Sequence, residues 1–278
     1  MNGKYKALLA ADMDFTLLSP GEDVPEGNKE AIRALKNAGI AFTIATGRSS
    51  FLVGKFAEDL GIEVPIITSN GGSLFDARAR KQFASRDFSD SKIRSLLKNL
   101  MGRSADVTLY SGEGIFFAPD SSRKYFVNGY NQGLDPSVQA PMIDIGYGYT
   151  DEDKIAVFNK ILLINPDKEV YEMLMADPDL EVIQSGPSLL DIMPKGVSKG
   201  DALLSLADYL GVPRDQTFSI GDNENDVSMI ASAKYGIAMG NATEGAKKAA
   251  YYITANFDSL GFAKAVYEFI IPLTEKFS

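Results

Sequence analysis

The chain has 278 residues, enough for one large domain or two smaller ones, and 45% of them are hydrophobic. It contains neither cysteine nor histidine, which excludes disulfides, thiolate nucleophiles, the usual zinc sites and histidine-dependent catalytic pairs. A formal net charge of −9 disfavours nucleic acid and anionic membranes as partners, and we expect neither.

Short apolar runs alternate with amphipathic helical patterns in the first part of the chain. Continuous apolar strands of this kind are typical of a parallel sheet covered by helices on both faces, so we predict an α/β fold with a Rossmann-like sheet. The predicted elements are the strand "ALLAA" (7–11), the helix "NKEAIRALKNAG" (28–39), the strand "IAFTIAT" (40–46), the helix "SSFLVGKFAEDLG" (49–61) and the strand "VPIITSN" (64–70).

The sequence pattern changes between residues 84 and 190. "VTLYSGEGIFFA" (107–118) predicts a β-hairpin, and "KILLINPDKEVYEMLMADPDLEVIQSG" (160–186) predicts a strand, a helix and a strand. We therefore predict an α+β domain at 84–190, inserted into a discontinuous core of residues 1–83 plus 191–278. We expect the aromatic residues of the insert to form its small core: Tyr110, Phe116, Phe117, Tyr125, Phe126 and Tyr130.

The alternation of helices and strands returns after the insert. Ser198 precedes a helical pattern and is the expected N-cap. The predicted elements are the helix "KGDALLSLADYLG" (199–211), the strands "TFSI" (217–220) and "YGIAM" (235–239), the helix "ATEGAKKAA" (242–250), the strand "YYIT" (251–254) and the helix "DSLGFAKAVYEFI" (258–270).

Acidic residues follow two of the predicted parallel strands. Asp12 and Asp14 come directly after "ALLAA", and the loop "GDNEND" after "TFSI" contains Asp222. Ligands bind open α/β sheets at the carboxyl ends of their strands. Carboxylates placed together there repel each other unless a cation lies between them. The sequence therefore predicts a Mg²⁺ site formed by Asp12, Asp14 and Asp222.

Phosphoryl transfer is the chemistry that this set of residues supports. One aspartate of the first strand would attack phosphorus, and the other would protonate the leaving oxygen and then deprotonate water. Thr46, at the end of the second strand, and Lys199, in the first turn of a helix, would hold the phosphoryl oxygens. We expect the nearby Lys195 to be an ordinary loop charge.

The sequence resembles the haloacid dehalogenase superfamily, in particular its Cof-like sugar-phosphatase branch with a large α/β cap (type II, subtype B). The resemblance spans nearly the whole chain, with the motifs in the order of that family. The matching stretches are "DMDFTLL" (12–18), "ATGR" (45–48), "TSNGG" (68–72), "MPKGVSKGDAL" (193–203), "GDNENDVSMI" (221–230) and "AMGNATEGAKKAA" (238–250).

The resemblance implies a role for each matching residue. It implies Asp12 as nucleophile, Asp14 as acid/base and as a metal ligand through its carbonyl, and Asp222 as metal ligand. Thr46 and Lys199 are implied to hold the phosphate. Further residues are implied near the substrate or the metal: Gly47 and Arg48 at the phosphate, Asn225 as a phosphate or loop contact, and Asp226 beside Lys199 or the water molecules on the metal.

Two positions stay open at this point. Arg48 has a structural ion pair as an alternative to a substrate contact. Phe15 stands where the family commonly has glycine. If that position requires positive φ, phenylalanine is strained there.

The function expected from the sequence is a Mg²⁺-dependent phosphomonoester hydrolase that forms an aspartyl-phosphate. Its substrates would be sugar phosphates or similar small phosphorylated metabolites. The alternatives are a phosphomutase or phosphotransferase of the same superfamily and a phosphoacceptor module without enzymatic activity. We expect a cytoplasmic protein, since no apolar run approaches the ~18 residues of a membrane span. We also expect it to be monomeric or weakly dimeric.

Overall fold

The computed structural model describes residues 4–19, 23–101, 103, 106–146 and 156–277. Its strands are β1 (Ala7–Ala11), β2 (Ile40–Ile44), β3 (Ile66–Thr68), β4 (Ser73–Asp76), β5 (Lys81–Ser85), β6 (Asp106–Ser111), β7 (Ile115–Phe117), β8 (Met142–Asp144), β9 (Phe158–Ile164), β10 (Leu180–Gly186), β11 (Leu189–Pro194), β12 (Thr217–Gly221), β13 (Tyr235–Ala238) and β14 (Tyr252–Ile253). Its helices are α1 (Glu26–Asn37), α2 (Gly54–Asp59), α3 (Asp90–Leu100), α4 (Arg123–Asn131), α5 (Lys168–Met175), α6 (Lys199–Leu210), α7 (Val227–Ser232), α8 (Glu244–Ala249), α9 (Gly261–Ala265) and α10 (Ile271–Thr274). Across these ranges, no helix is both long enough and apolar enough to cross a membrane.

A five-stranded parallel sheet carries the candidate site. Its order is β14-β13-β12-β1-β2, and every residue of β1 and β2 is buried. A bridge between Ala45 and Ile67 joins β3 to the edge of this sheet, and β3 continues into the antiparallel sheet β3-β4-β5. The predicted α/β fold with a Rossmann-like parallel sheet is confirmed.

A second, six-stranded sheet has the order β10-β11-β9-β6-β7-β8 and is antiparallel except for the pair β7–β8. The predicted hairpin (β6–β7) and strand–helix–strand unit (β9-α5-β10) both lie in this part. The division into core and insert remains a prediction. The predicted boundary after residue 190 falls inside β11 (Leu189–Pro194), which pairs with β9 and β10, so we propose that the insert extends through Pro194 instead.

The expectation for the aromatic residues of this part is partly wrong. Tyr110, Phe116 and Phe117 are buried as expected, but Tyr125 and Phe126 are exposed. Both lie on α4, whose buried hydrophobic residue is Val127. Neighbouring residues of a helix face different directions, so these two rings turn away from the buried side.

The start of α6 is fixed by its capping residue. The hydroxyl of Ser198 accepts a hydrogen bond from the backbone N–H of Asp201 at 3.1 Å, as an N-cap serine does. The helix therefore begins at Lys199, next to the carboxyl end of the parallel sheet.

The turn after β3 packs directly against this helix start. Gly71 has φ of 96°, and a Cβ atom there would lie 2.1 Å from the carbonyl oxygen of Ser198. Only glycine combines this backbone conformation with such a close approach. The contact places the residue before it, Asn70, beside the N-terminus of α6.

We expect Gly71→Ala to lower the free energy of unfolding by more than about 2 kcal/mol. The added methyl group would collide with the backbone of Ser198, and alanine is disfavoured at the positive φ of residue 71. Urea unfolding measures the change. The matched control is Gly129→Ala in α4, where an added Cβ meets nothing within 4 Å. Alanine lowers the conformational entropy of the unfolded chain, so that variant should gain up to about 1 kcal/mol in the free energy of unfolding. Equal effects of the two changes would contradict this account.

Candidate active site

The side chain of Lys199 lies between two carboxylates. It is fully buried, and its Nζ atom is 2.6 Å from Oδ1 of Asp12 and 2.6 Å from Oδ1 of Asp226. Burial lowers the pKa of this ammonium group, but the two carboxylates outweigh that effect and raise the pKa above its usual value. Lys199 is therefore a permanent positive charge beneath Asp12.

Asp226 organises the loop that follows β12. Its Oδ2 atom accepts hydrogen bonds from the backbone N–H groups of Asp222 at 2.9 Å and Asn223 at 3.0 Å. Its Oδ1 atom is held by Lys199. Both oxygens of Asp226 are thus used in fixing the loop and the lysine.

Asp12, Asp222 and Asp226 form a buried acidic cluster in which one carboxylate oxygen of each residue lies within 4.8 Å of the others. Burial, followed by the charge of Asp226, raises the pKa of Asp12 well above its ordinary value. The same two causes raise the pKa of Asp222 to about 7, against the hydrogen bond that its Oδ1 accepts from the hydroxyl of Thr16 at 2.9 Å. The cluster is therefore electrostatically unfavourable when all three carboxylates are ionised.

A hard divalent cation fits this cluster. The cluster offers carboxylate oxygens, which are the ligands that Mg²⁺ prefers. One added cation would relieve the mutual repulsion of the carboxylates. Among the described residues, hydrogen bonds engage Oδ1 of Asp12 and Oδ1 of Asp222. The second oxygen of each carboxylate remains for a metal ion.

The side chain of Asp14 points elsewhere. Its two oxygens accept hydrogen bonds from the guanidinium of Arg48, from Nε at 3.1 Å and from Nη2 at 2.5 Å. It is not part of the acidic cluster. The structure thus shows Arg48 in an ion pair, one of the two roles that the sequence left open for it.

The turn after β2 places Thr46 at the same end of the sheet. Thr46 is buried, its backbone N–H donates to Ile67, and its hydroxyl accepts a hydrogen bond from the backbone N–H of Arg48 at 3.1 Å. From the loop after β12, the side-chain amide of Asn225 donates to Oδ1 of Asn70 at 3.1 Å.

These residues line a cleft of about 320 Å³ between the parallel sheet and the six-stranded sheet. Lys199 and Asp226 are buried and do not line the cleft. The Lys199 ammonium group is therefore separated from the cleft by the Asp12 carboxylate. Seven predicted site residues line the cleft on the side of the parallel sheet: Asp12, Asp14, Thr46, Gly47, Arg48, Asp222 and Asn225. From the other side it is lined by Arg123, Phe126, Lys160, Leu162, Ser185, Leu189 and Asp191.

Sequence reasoning missed Lys160 and Asp191. Both are buried, at 3% and 2% exposure, and both line the cleft. A signal for them exists, because each is the one charged residue in a mostly apolar strand, "FNKILLI" and "LLDIMP". Buried charges of this kind are paired or functional.

Phe15 does adopt the positive φ that its position suggested, with φ of 60°. Such a conformation costs of order 1–3 kcal/mol for a residue with a side chain. Two contacts hold it: Asn241 donates to its carbonyl oxygen at 3.1 Å, and its ring packs edge-on against Phe257 at 5.4 Å. The ring also forms part of the cleft wall.

A parallel sheet with aspartates after its first strand, and a lysine buried between Asp12 and Asp226, fits the class of α/β enzymes that transfer phosphoryl groups. The chain belongs to the haloacid dehalogenase-like hydrolase family, which matches residues 9–266. It is 30% identical to 5-amino-6-(5-phospho-D-ribitylamino)uracil phosphatase YwtE from Bacillus subtilis, over 92% of this chain and 95% of that protein.

Solved structures agree. A haloacid dehalogenase-like hydrolase from B. subtilis superposes with a TM-score of 0.81 at 27% identity, over 95% of this chain and 99% of that one. The subclass IIB sugar phosphatase BT4131 superposes with a TM-score of 0.80 at 23% identity, with the same coverage, and supports the fold alone. The predicted family, fold and enzyme class, a phosphatase of this family, are confirmed.

Asp222→Asn tests the electrostatics of the cluster. Because the folded-state pKa of Asp222 is about 7 and its unfolded value is about 3.9, the folded protein binds the extra proton between these values. Without metal, wild-type stability should therefore fall relative to the variant as pH rises from about 4 to about 7. Thermal unfolding of both proteins over this range measures the difference, and a constant difference would contradict the assignment.

Addition of Mg²⁺ above that range should act in the opposite direction. At ten times its dissociation constant, the ion should stabilise the wild-type protein by about 1.4 kcal/mol, or a few degrees in the melting temperature. The Asp222→Asn variant should gain much less, since it lacks one ligand. An equal gain in both proteins would place the ion elsewhere.

Proposed function

We propose that this enzyme is a Mg²⁺-dependent phosphomonoester hydrolase that forms an aspartyl-phosphate on Asp12. The observation that carries the proposal is the position of the Asp12 carboxylate. It is exposed to the cleft on one side and held by the buried ammonium of Lys199 on the other, at 2.6 Å. A fixed, desolvated carboxylate beside a positive charge is suited to nucleophilic attack on a phosphoryl group.

Asp12 and Asp222 would hold the metal through their second oxygens, together with the main-chain carbonyl of Asp14. When bound, Mg²⁺ would supply positive charge that offsets the repulsion between these carboxylates and an incoming phosphate. Asp226 would support this site through Lys199 and the loop N–H groups rather than as a ligand, because its oxygens are already engaged.

The residues of the chain divide the reaction between them. A carboxylate oxygen of Asp12 forms a bond to phosphorus while the bond from phosphorus to the ester oxygen breaks. Asp14 gives the departing oxygen a proton and later takes one from the water that hydrolyses the acyl phosphate, which returns Asp12 to its starting form. For this, Arg48 must release at least one oxygen of Asp14 when substrate enters.

The phosphoryl oxygens would be held by the turn Thr46-Gly47-Arg48 and by Asn225, which all line the cleft. Lys199 would balance charge from behind Asp12. The inserted part would cover the leaving group, exclude bulk water and select the substrate. The substrates would be small phosphorylated metabolites, sugar phosphates among them. One relative named above supports a substrate of this size, because its name gives a phosphoribitylamino-uracil as the substrate.

Asp12→Asn tests the nucleophile. We expect the variant to lose at least about 10³-fold in turnover of p-nitrophenyl phosphate with Mg²⁺ present, since the amide cannot form the acyl phosphate. Released phosphate and p-nitrophenol measure the reaction. The same exchange at the exposed Asp215 is the matched control and should leave turnover unchanged.

Substantial turnover by Asp12→Asn would remove the proposed nucleophile. Release of an isomerised sugar phosphate instead of free phosphate from a sugar phosphate substrate would show a mutase instead of a hydrolase.

A further inference from the structure

Lys160 and Asp191 form a buried ion pair on the wall of the cleft opposite the parallel sheet. They come from the adjacent strands β9 and β11, and Nζ of Lys160 lies 2.7 Å from Oδ1 of Asp191. The Tyr110 ring lies 5.0 Å from the same ammonium. Two charges with 3% and 2% exposure are costly to bury unless further hydrogen bonds satisfy them.

The further partners of both charges come from the other side of the cleft. Lys160 donates a hydrogen bond to the carbonyl oxygen of Gly47 at 2.8 Å. Asp191 accepts one from the side-chain amide of Asn70 at 2.7 Å through its Oδ2 atom. Each charge of the ion pair therefore gains a hydrogen bond only when the six-stranded sheet lies on the turns that follow β2 and β3.

These two partners adjoin the proposed phosphate contacts. Gly47 lies between Thr46 and Arg48 in the chain. The backbone N–H of Asn70 donates to the carbonyl of Thr46 at 3.0 Å, and its side-chain oxygen accepts from Asn225 at 3.1 Å. The hydrogen bonds of Lys160 and Asp191 thus fix the positions of the turn Thr46-Gly47-Arg48 and of Asn225, which would hold the phosphoryl oxygens.

Asn70 has a left-handed backbone conformation. It is fully buried with φ of 56° and ψ of 32°, a conformation that asparagine adopts more readily than most other residues apart from glycine. Its side-chain amide is used on both ends, by Asp191 and by Asn225. These two hydrogen bonds hold the Asn70 side chain between the two sides of the cleft.

We propose that Lys160 and Asp191 are positioning residues that couple closure of the insert to alignment of the phosphate-holding turn Thr46-Gly47-Arg48 and of Asn225. The coupling rests on the proposed function. The simpler alternative is an ion pair that only stabilises the six-stranded sheet. That alternative accounts for neither hydrogen bond across the cleft.

The test uses variants that remove both charges together, because Lys160→Met alone leaves an uncompensated buried carboxylate and could prevent folding. The Lys160→Met/Asp191→Asn variant lacks the donor to Gly47. The Lys160→Gln/Asp191→Asn variant keeps a shorter neutral donor. The matched control is Lys195→Met/Glu181→Gln, which removes an exposed ion pair of the same sheet with an Nζ–Oε2 distance of 3.0 Å.

We expect the methionine variant to lose about 10- to 100-fold in kcat/KM for p-nitrophenyl phosphate, the loss that corresponds to one hydrogen bond with a charged group. Inorganic phosphate should inhibit it correspondingly more weakly. The glutamine variant should recover part of both losses, and the control should match the wild-type protein. Equal losses in the methionine and glutamine variants, with unchanged inhibition by phosphate, would overturn the proposal.

Asn70→Gly provides a second route that does not depend on the buried charges. Glycine accepts the left-handed backbone, and the change removes the partner of Asp191 and Asn225. It should also lower kcat/KM, and its effect should not multiply with that of the methionine variant, because both act on one network. Independent, fully multiplicative effects would overturn the coupling.

Hydrogen exchange separates failure of this proposal from failure of the proposed function. Without any substrate, amides of residues 45–52 should exchange faster in the methionine variant than in the wild-type protein and the control. If wild-type protein releases no phosphate but this difference is present, the coupling stands and the function is wrong. If wild-type protein is active and exchange is unchanged, the coupling is wrong.

Discussion

The ammonium group of Lys199, buried between Asp12 and Asp226, is the contact on which the catalytic end of the sheet depends. It joins the first strand, the helix α6 and the loop after β12 through two contacts of 2.6 Å. Removal of one partner from such a buried group leaves an uncompensated charge, which typically costs several kcal/mol. The lysine therefore fixes where Asp12 lies, and Asp226 fixes the loop that carries Asp222.

One buried lysine does not neutralise three carboxylates. Burial and mutual repulsion raise the pKa values of Asp12 and Asp222, so the metal-free cluster favours extra protons. A divalent cation offers the other way to balance the charge at neutral pH. Stability, metal affinity and the ionised state of the proposed nucleophile, Asp12, are thus linked through one small group of oxygens.

Much of this arrangement follows from local sequence pattern. Continuous apolar strands predict a parallel sheet, and polar residues at the strand ends then have to meet at one edge, as Asp12, Thr46 and Asp222 do. The N-cap serine predicts where α6 begins and thus where Lys199 lies. These positions depend on residues that are close in sequence, which is why they could be inferred without coordinates.

Other features depend on contacts between distant parts of the chain. The partner of Asp14 is Arg48, and the partners of Lys160 and Asp191 are 113 and 121 residues away in sequence. Strand periodicity shows which residues share a face, but not which charges across a cleft meet. The exposure of Phe126 likewise depends on how α4 is rotated against its sheet, which a run of aromatic residues does not reveal.

The most direct test of the central claim, that Asp12 and Asp222 share one divalent cation above Lys199, is a crystal structure with Mn²⁺ in place of Mg²⁺, in which anomalous scattering locates the ion. The account predicts one ion within about 2.2 Å of a carboxylate oxygen from each of the two aspartates. A fully occupied ion bound elsewhere, or an empty cluster at saturating Mn²⁺, would contradict it.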